Sequence, residues 1–501
     1  MLDGILLGLQ TVLTINNLFL VFAGCATGTL IGMLPGLGPI SAIALMIPVT
    51  YGFDPASGMI LLAGVYHGAI FGGSTSSILI NAPGVAGTVA TAFDGYPLAR
   101  SGHAGKALAT AAYSSFAGGT LATLFLVLAA PILADLSLGF RSADYFILML
   151  LGLSLVSAFS PPGEYLTALL MILLGLMLST VGTDLPAGVQ RFTFGRMDLI
   201  DGISFLLLAM ATFALSEAMM MVLKQSKAQP LDLSSINIRM TRDEIRSIIP
   251  VISRSSILGF LIGVLPGAGA TIASFLAYGT ERSLAMREEK AMFGKGSLKG
   301  LAAPEAANNA ACTGSFVPLL TLGIPGSGTT AVLLGALIAY GIQPGPRLIV
   351  DEPEIFWSVI VSMYFGNVIL LILNLPLIPY IARLLTIPRQ FLIPMIMFFS
   401  LMGVYLVSFN TFDLQMMVVI AAIATLLRLL GFPMAPLLLG FILGGMLEDN
   451  LRRAVTLSDG ELSFLWDRPT TLVLLILTTL VLLSPLVRFF LTRLVRGRGN
   501  L

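Results

Sequence analysis

The chain has 501 residues, 56% of them hydrophobic and 11% charged, with 52 glycines and a mean hydropathy of +0.94. A soluble domain carries roughly 25% charged residues, so this composition excludes a water-bathed globule and leaves a chain that mostly faces lipid. The net charge of +1 argues neither for nor against a charged partner, and no nucleic-acid partner is expected; two cysteines, Cys25 and Cys312, exclude a disulfide framework.

At about 20 residues per crossing, the apolar segments predict an all-α polytopic membrane protein of roughly 10–12 membrane segments. The N-terminus lacks a basic n-region, so its first apolar run reads as a retained helix. A helix near Asn17–Leu34 ends in Gly32-Met-Leu-Pro-Gly-Leu-Gly-Pro39, a short apolar segment runs to Val49, and Tyr51–Pro55 is a turn. Gly64–Gly84 is apolar yet crowded with glycine, serine and threonine, and closes in Asn81-Ala-Pro-Gly84. Broken backbone survives at membrane depth only when it is buried in protein or lines a wet cavity, so this stretch reads as a re-entrant hairpin holding a hydrophilic solute. Asp94-Gly-Tyr-Pro97 follows, then Arg100, His103 and Lys106. Long apolar spans are predicted over 107–135, 143–160, 164–182 and 198–222, and 226–245 is a basic linker.

Beyond the linker the pattern returns. Gly263-Val-Leu-Pro-Gly-Ala-Gly269 matches the first Leu-Pro-Gly turn at an offset of 263 − 32 = 231 residues. Ile324-Pro-Gly-Ser-Gly-Thr-Thr330 answers Ala82-Pro-Gly-Val-Ala-Gly-Thr88 at 325 − 83 = 242. Two motifs repeated in order predict a duplication, with one repeat over 1–225, a second over 246–465, and a C-terminal helix and basic tail over 466–501. Residues 49–58 carry no Lys or Arg, whereas 281–300 carries Arg282, Arg287, Lys290, Lys295 and Lys299. Corresponding loops are thus expected on opposite sides of the membrane, as in transporters built from two inverted-topology repeats with Pro/Gly-broken helices at a midplane site. The arginines after Leu486 place the C-terminus in the cytoplasm.

Each motif has a plainer reading. A Leu-Pro-Gly turn can be a simple kink, or it can aim the free N–H groups of a new half-helix at an anion. Hydroxyls can bind a carboxylate, or they can glue helices and bond back to their own backbone. Glu305, in Pro304-Glu-Ala-Ala-Asn-Asn309, is either a buried functional carboxylate or a first-turn residue at the interface. Asp94 is either a turn residue or a cation ligand; His67 and His103 are either proton relays or packing and solvated residues. Carbonyls at the helix breaks could also hold Na⁺. There is no Gly-x-x-x-x-Gly-Lys-Ser/Thr loop, His-Glu-x-x-His or Gly-x-Ser-x-Gly elbow, and Gly72-Gly-Ser-Thr-Ser76 lacks a spaced base, so no enzyme is expected.

Five separated motifs carry a resemblance: Gly32–Pro39, Tyr66–Gly84, Asp94–Pro97, Ala303–Asn309 and Leu322-Gly-Ile-Pro-Gly326. Together they resemble the large membrane subunit of the tripartite tricarboxylate transporters, from about residue 15 to residue 455. The resemblance implies a bacterial inner-membrane, cation-coupled importer of citrate-like carboxylates, driven by Na⁺ or H⁺. It also implies a small membrane subunit and a periplasmic solute-binding protein as partners. The chain departs from the family's usual pattern at Tyr66-His67-Gly68, Phe71-Gly72-Gly73 and Ala82-Pro83-Gly84, which leaves the particular carboxylate open. The expected substrate site comprises Gly36, Gly38, Ser41, Ser74, Ser76, Ser77, Asn81, Gly84, Thr88, Gly267, Gly269, Thr271, Asn308, Asn309, Gly326, Ser327, Thr329 and Thr330, with Asp94 and Glu305 as cation-coupling candidates. A passive pore for small organic anions is the alternative.

Overall fold

The computed structural model describes residues 1–34, 37–158, 164–184, 186–223, 238–267, 269–381 and 389–498, excluding the side chains of 158, 379, 381, 389 and 484–498. Gly36, most of the 226–245 linker and the side chains of the arginine-rich tail therefore lie outside the described residues. Nine helices among those described are long and apolar enough to cross a membrane. The chain is an all-α, multi-pass membrane protein, as its composition predicts.

The chain opens with α1 (Leu2–Val12) and α2 (Ile15–Met33), breaks, and resumes as the half-length α3 (Pro39–Thr50) before α4 (Pro55–Ile80). A second break leads to α5 (Val89–Leu98) and the long α6 (Ala104–Ser137), followed by α7 (Ser142–Ala158) and α8 (Tyr165–Ser179). Strands β1 (Gly182–Asp184) and β2 (Val189–Arg191) pair antiparallel. The next span joins α9 (Phe205–Ala209), a π-helical stretch over Met210–Leu215 and α10 (Ser216–Leu223). Then come α11 (Arg242–Val264), α12 (Gly269–Leu284), α13 (Arg287–Lys290), α14 (Leu298–Gly314), α15 (Phe316–Leu322) and α16 (Gly328–Ala339). The chain continues through α17 (Leu348–Asp351), α18 (Pro353–Asn374), α19 (Ile378–Ile381), α20 (Arg389–Ser408), α21 (Thr411–Leu429), α22 (Met434–Leu457) and α23 (Pro469–Arg498).

These elements form two compact units, one of Met1–Asp135 with Leu206–Leu426, the other of Leu136–Phe205 with Leu427–Leu501. In the first unit, α4 is buried over its whole membrane-length window. Gly24, Gly28 and Gly32 of α2 abut the carbonyls of Leu61, Val65 and Ala69, and Gly68 and Gly72 of α4 abut the backbone at Cys25 and Thr29. Small residues let membrane helices approach backbone to backbone, where packing rather than hydrophobicity drives association. The ascending order of the contacts makes α2 and α4 parallel. Gly259 and Gly263 of α11 meet Ala307 and Ala311 of α14 in the same way, again in parallel. In contrast, α4 and α14 run antiparallel, for His67 reaches Thr313 while Ser74 reaches Glu305.

Two sequence expectations change here. Gly64–Gly84 is not itself a hairpin: α4 continues to Ile80, and the chain turns at Asn81, which is left-handed at φ +52°. Its small residues serve close packing, and Ser76 and Ser77 donate to the carbonyl of Gly73 in their own helix. Nor is Asp94–Pro97 a turn. It lies within α5, and the chain next leaves helical geometry at Gly102, φ +86°.

In the second unit, ion pairs fasten the hairpin to α22. Arg191 donates to Glu448 at 2.9 Å, and Arg452 donates to Asp184 at 2.7 Å and to Glu448 at 2.6 Å. Asp144, at the start of α7, accepts from Arg468, from Thr470 at 2.9 Å and from Thr471 at 2.5 Å.

The interlocked glycines give a direct test. A Cβ at Gly68 would lie 2.8 Å from the Thr29 nitrogen, whereas at Gly279 of α12 nothing lies within 4 Å. Gly68→Val is expected to destabilise by roughly 1–3 kcal/mol, and Gly279→Ala to be neutral or stabilising by up to about 1 kcal/mol. Thermal unfolding of the two variants in the same detergent measures the contrast.

Candidate functional site

The helix breaks come first. Helix α2 ends at Met33, where Leu34 turns extended, and α3 starts at Pro39 with Gly38 as its N-cap. The second Leu-Pro-Gly turn uses left-handed backbone at Gly267 (φ +83°) and Gly269 (φ +61°). Each turn folds onto the Pro-Gly break that follows it. Gly84 presses on the Gly32 carbonyl and lies beside Gly38, while Gly267 donates its N–H to the Gly326 carbonyl at 2.9 Å. The half-helices then cross over: α3 packs on α16, and α12 packs on the single 3₁₀ turn at Ala86–Thr88 and on α5.

A polar column on α14 faces this crossing. Glu305 is completely buried and sits two turns inside α14, not in the first turn. Its Oε2 accepts from Ser74 and Ser115, each at 2.7 Å, and its Oε1 accepts from Thr91. Helices α4, α5 and α6 thus each supply one hydroxyl. One turn on, Asn308 is completely buried and neither amide atom has a hydrogen-bond partner among the described residues. A Cβ at Gly87 would collide with its Oδ1, so the amide lies directly against the backbone just past the first Pro-Gly break. Asn309 donates to the Glu305 carbonyl at 3.1 Å, and its Oδ1 is likewise unpaired. His67 bonds the Ala63 carbonyl and Thr313, and stacks on Phe316.

The structure therefore sorts the residues singled out from sequence. Gly38, Gly84, Gly267, Gly269 and Gly326 lie at the breaks; Asn308, Asn309, Ser74 and Glu305 gather on the column. Several hydroxyls instead stabilise the chain locally. Ser77 donates to Thr88 at 2.7 Å, while Ser327 and Thr330 form a reciprocal capping box at the start of α16. Ser41 donates to the Phe213 carbonyl at 3.3 Å, Thr329 is buried, Thr271 is half-buried, and Asn81 is exposed at the end of α4. Thr91 and Ser115 join the site without having carried any motif, and Gly87, from the repeated Ala82–Thr88 motif, joins it beside Asn308. Among the described residues no group of three His, Cys, Asp or Glu side chains could hold a metal ion.

Asp94 performs a different task. Its Oδ1 accepts three backbone N–H groups, from Gly294 and Gly296 at 2.9 Å and Ser297 at 2.7 Å, so it orders the turn that starts α14. Near this end Lys106 also pairs with Glu244 at 2.5 Å. The contacts therefore bring Lys106 together with the start of α11, which carries Arg242 and Arg246 beside Asp243 and Glu244, and Asp94 together with the basic 281–300 loop. Opposite them Tyr340 donates to the Thr50 carbonyl at 3.0 Å and Thr11 to Glu354 at 3.0 Å, where Asp351, Glu352 and Glu354 gather. The first unit has one basic end and one acidic end.

Paired interrupted helices closing on a buried polar column, in a chain with this many spans, belong to the architecture of membrane transport proteins. Comparison with known sequences narrows the class. The chain belongs to the tripartite tricarboxylate transporter TctA family, which it matches over residues 18–439. It is a membrane component of a transporter family, which points to transport rather than catalysis. It is 45% identical over 461 residues to an uncharacterized 52.8 kDa protein in the TAR-I ttuC' 3' region of Agrobacterium vitis, covering 92% of this chain and 91% of the relative. It is also 46% identical over 217 residues to an uncharacterized protein in the TAR-II ttuC' 3' region of the same organism, covering 43% and 89%. No solved structure matches the chain.

The Asp94 fastening predicts a local effect. Asp94→Ala removes one acceptor from three amides, and hydrogen bonds to charged groups contribute about 1.5–3 kcal/mol each. Hydrogen–deuterium exchange is expected to accelerate at Gly294, Gly296 and Ser297 while α2 and α4 stay protected.

Proposed function

We propose that the chain is the large permease subunit of a binding-protein-dependent, cation-coupled secondary transporter that imports citrate-like tricarboxylates or related carboxylates. The observation that carries this reading is Asn308, a fully buried amide with both polar atoms unpaired, held against the backbone of a helix break. Unpaired buried polar groups are costly, and a carboxylate with its counter-donors would satisfy this one. Asn309 and the free N–H groups of α3 and α12 complete a set of neutral donors, which can bind an anion without trapping it by a fixed charge.

Two inverted repeats are the framework we infer for alternating access. Parallel pairing recurs at matched positions: Gly28 on Val65 and Gly259 on Ala307, offset by 259 − 28 = 231 and 307 − 65 = 242 residues. These equal the offsets of the sequence motifs, and the antiparallel course of α4 and α14 supports inversion. By the positive-inside rule the basic end faces the cytoplasm of a bacterial inner membrane, as does the C-terminus. Delivery then comes from a periplasmic solute-binding protein at the acidic end, with a small membrane subunit alongside.

The test is labelled citrate uptake by cells lacking their own carriers, with all three components or without the binding protein, and with Na⁺ present or absent. Uptake that needs both the binding protein and a cation gradient is expected; uptake that needs neither identifies a passive pore. Asn308→Ala removes no hydrogen bond within the described residues, so it is expected to leave folded yield unchanged. It should weaken uptake roughly 10- to 100-fold, the loss of one hydrogen bond to a charged group. Unchanged uptake places the substrate elsewhere.

A further inference from the structure

Glu305 presents an electrostatic problem. Its side chain is wholly buried in α14, and no ion pair reaches it among the described residues. An ionised carboxylate without a counter-charge is among the costliest groups to bury, and in practice such a group neutralises. Ser74, Thr91 and Ser115 are neutral; they can hydrogen-bond the group but not cancel its charge. Hydroxyls both donate and accept, so the same three neighbours serve a protonated acid, with one turned to accept, and a carboxylate, with all three donating.

The other titratable groups on packed elements are engaged elsewhere. His67 on α4 bonds Ala63 and Thr313, Asp94 on α5 holds the turn before α14, and Lys106 on α6 pairs with Glu244. On α12, Glu281 pairs with Arg254 of α11, and Arg282 sits in the last turn. The remaining charges of α11 lie in its first two turns, and Lys299 of α14 pairs with Glu289. Tyr66, Tyr96, Tyr113, Tyr278 and Cys312 offer no cationic group that could pair with a carboxylate.

Ser74 and Ser115 line a cavity of about 10 Å³, together with Phe71, Ile78, Leu108 and Asn374, among others. Such a volume accommodates about one water. Two of the three hydroxyls that bond Glu305 line it, and so does Asn374, which is 4% exposed and whose Oδ1 has no partner. The cavity extends along α4 and α6 toward Leu108, two residues from Lys106 at the basic end.

We propose that Glu305 is a proton-binding site, not a metal-cation site, and that its proton exchanges toward the basic end through Ser74 or Ser115 and a single water held by Asn374. In that step the carboxyl O–H passes its proton to the serine oxygen as the serine passes its own to the water, which releases one to solvent. The carboxylate left behind accepts from all three hydroxyls, which lowers the cost of the deprotonated state. This deepens the cation-coupled reading above and rests on it, with the proton as coupling ion.

The test is infrared spectroscopy of the full chain in lipid vesicles, which needs no transported substrate and so stands apart from the uptake experiment. At neutral pH a protonated carboxylic carbonyl band is expected. It should shift with isotope-labelled glutamate, disappear in Glu305→Gln, and stay unchanged when K⁺ is replaced by Na⁺ at fixed pH. Asn374→Leu should keep the band but slow its shift in D₂O several-fold. A missing glutamate acid band, or one abolished by Na⁺, overturns the proton assignment. D₂O exchange as fast in Asn374→Leu as in the unaltered protein overturns the route. The labelled-glutamate arm needs no substitution, so it holds even if Glu305→Gln fails to fold.

Discussion

Close backbone approach between helices in lipid is the constraint on which the first unit depends. Lipid tails are as apolar as a leucine side chain, so helices gain little from merely meeting; they gain from meeting closely. Glycines on α2, α4 and α11 bring backbones together with no side chain between them. That contact fixes the register of α2 against α4 and of α11 against α14, and with it the positions of both Leu-Pro-Gly turns. The site residues do not assemble themselves. They are carried into place by helices whose relative heights have already been set.

Hydroxyl groups illustrate how a polar composition divides its work. Ser76, Ser77, Thr88, Ser327 and Thr330 close helix ends or bond to nearby backbone, which the absence of water at membrane depth makes obligatory. Ser74, Thr91 and Ser115 converge from three helices on one carboxyl group. Neither amide atom of Asn308 has a partner among the described residues, which sets it apart from these hydroxyls.

Much of this was legible in the sequence because proline and glycine punctuate locally. Pro39 and Gly269 start half-helices where the Leu-Pro-Gly turns placed them. Gly64–Gly84 misled because glycine and serine suit both a broken helix and a tightly packed one. The distinguishing signal was spacing: Gly64, Gly68 and Gly72, like Gly24, Gly28 and Gly32, recur every fourth residue, on one helical face. Asp94 looked like a turn residue because its partners, Gly294, Gly296 and Ser297, lie 200 or more residues away. Thr91 and Ser115 were invisible for the same reason. No local pattern records a hydroxyl that becomes meaningful only when three helices meet.

The second unit adds ion pairs to the same close approach, for Gly175 of α8 rests on the Leu437 carbonyl and Gly440 of α22 on that of Ile172. Arg191, Arg452 and Arg468 hold Asp184, Glu448 and Asp144, and several of these groups are within reach of solvent. Salt screens such pairs, while it does not touch a glycine resting on a carbonyl. A harsh detergent that wedges between helices therefore threatens both units, and a high-salt wash adds a separate threat wherever ion pairs fasten one element to the next. A preparation that keeps the whole chain must be mild in two unrelated respects at once.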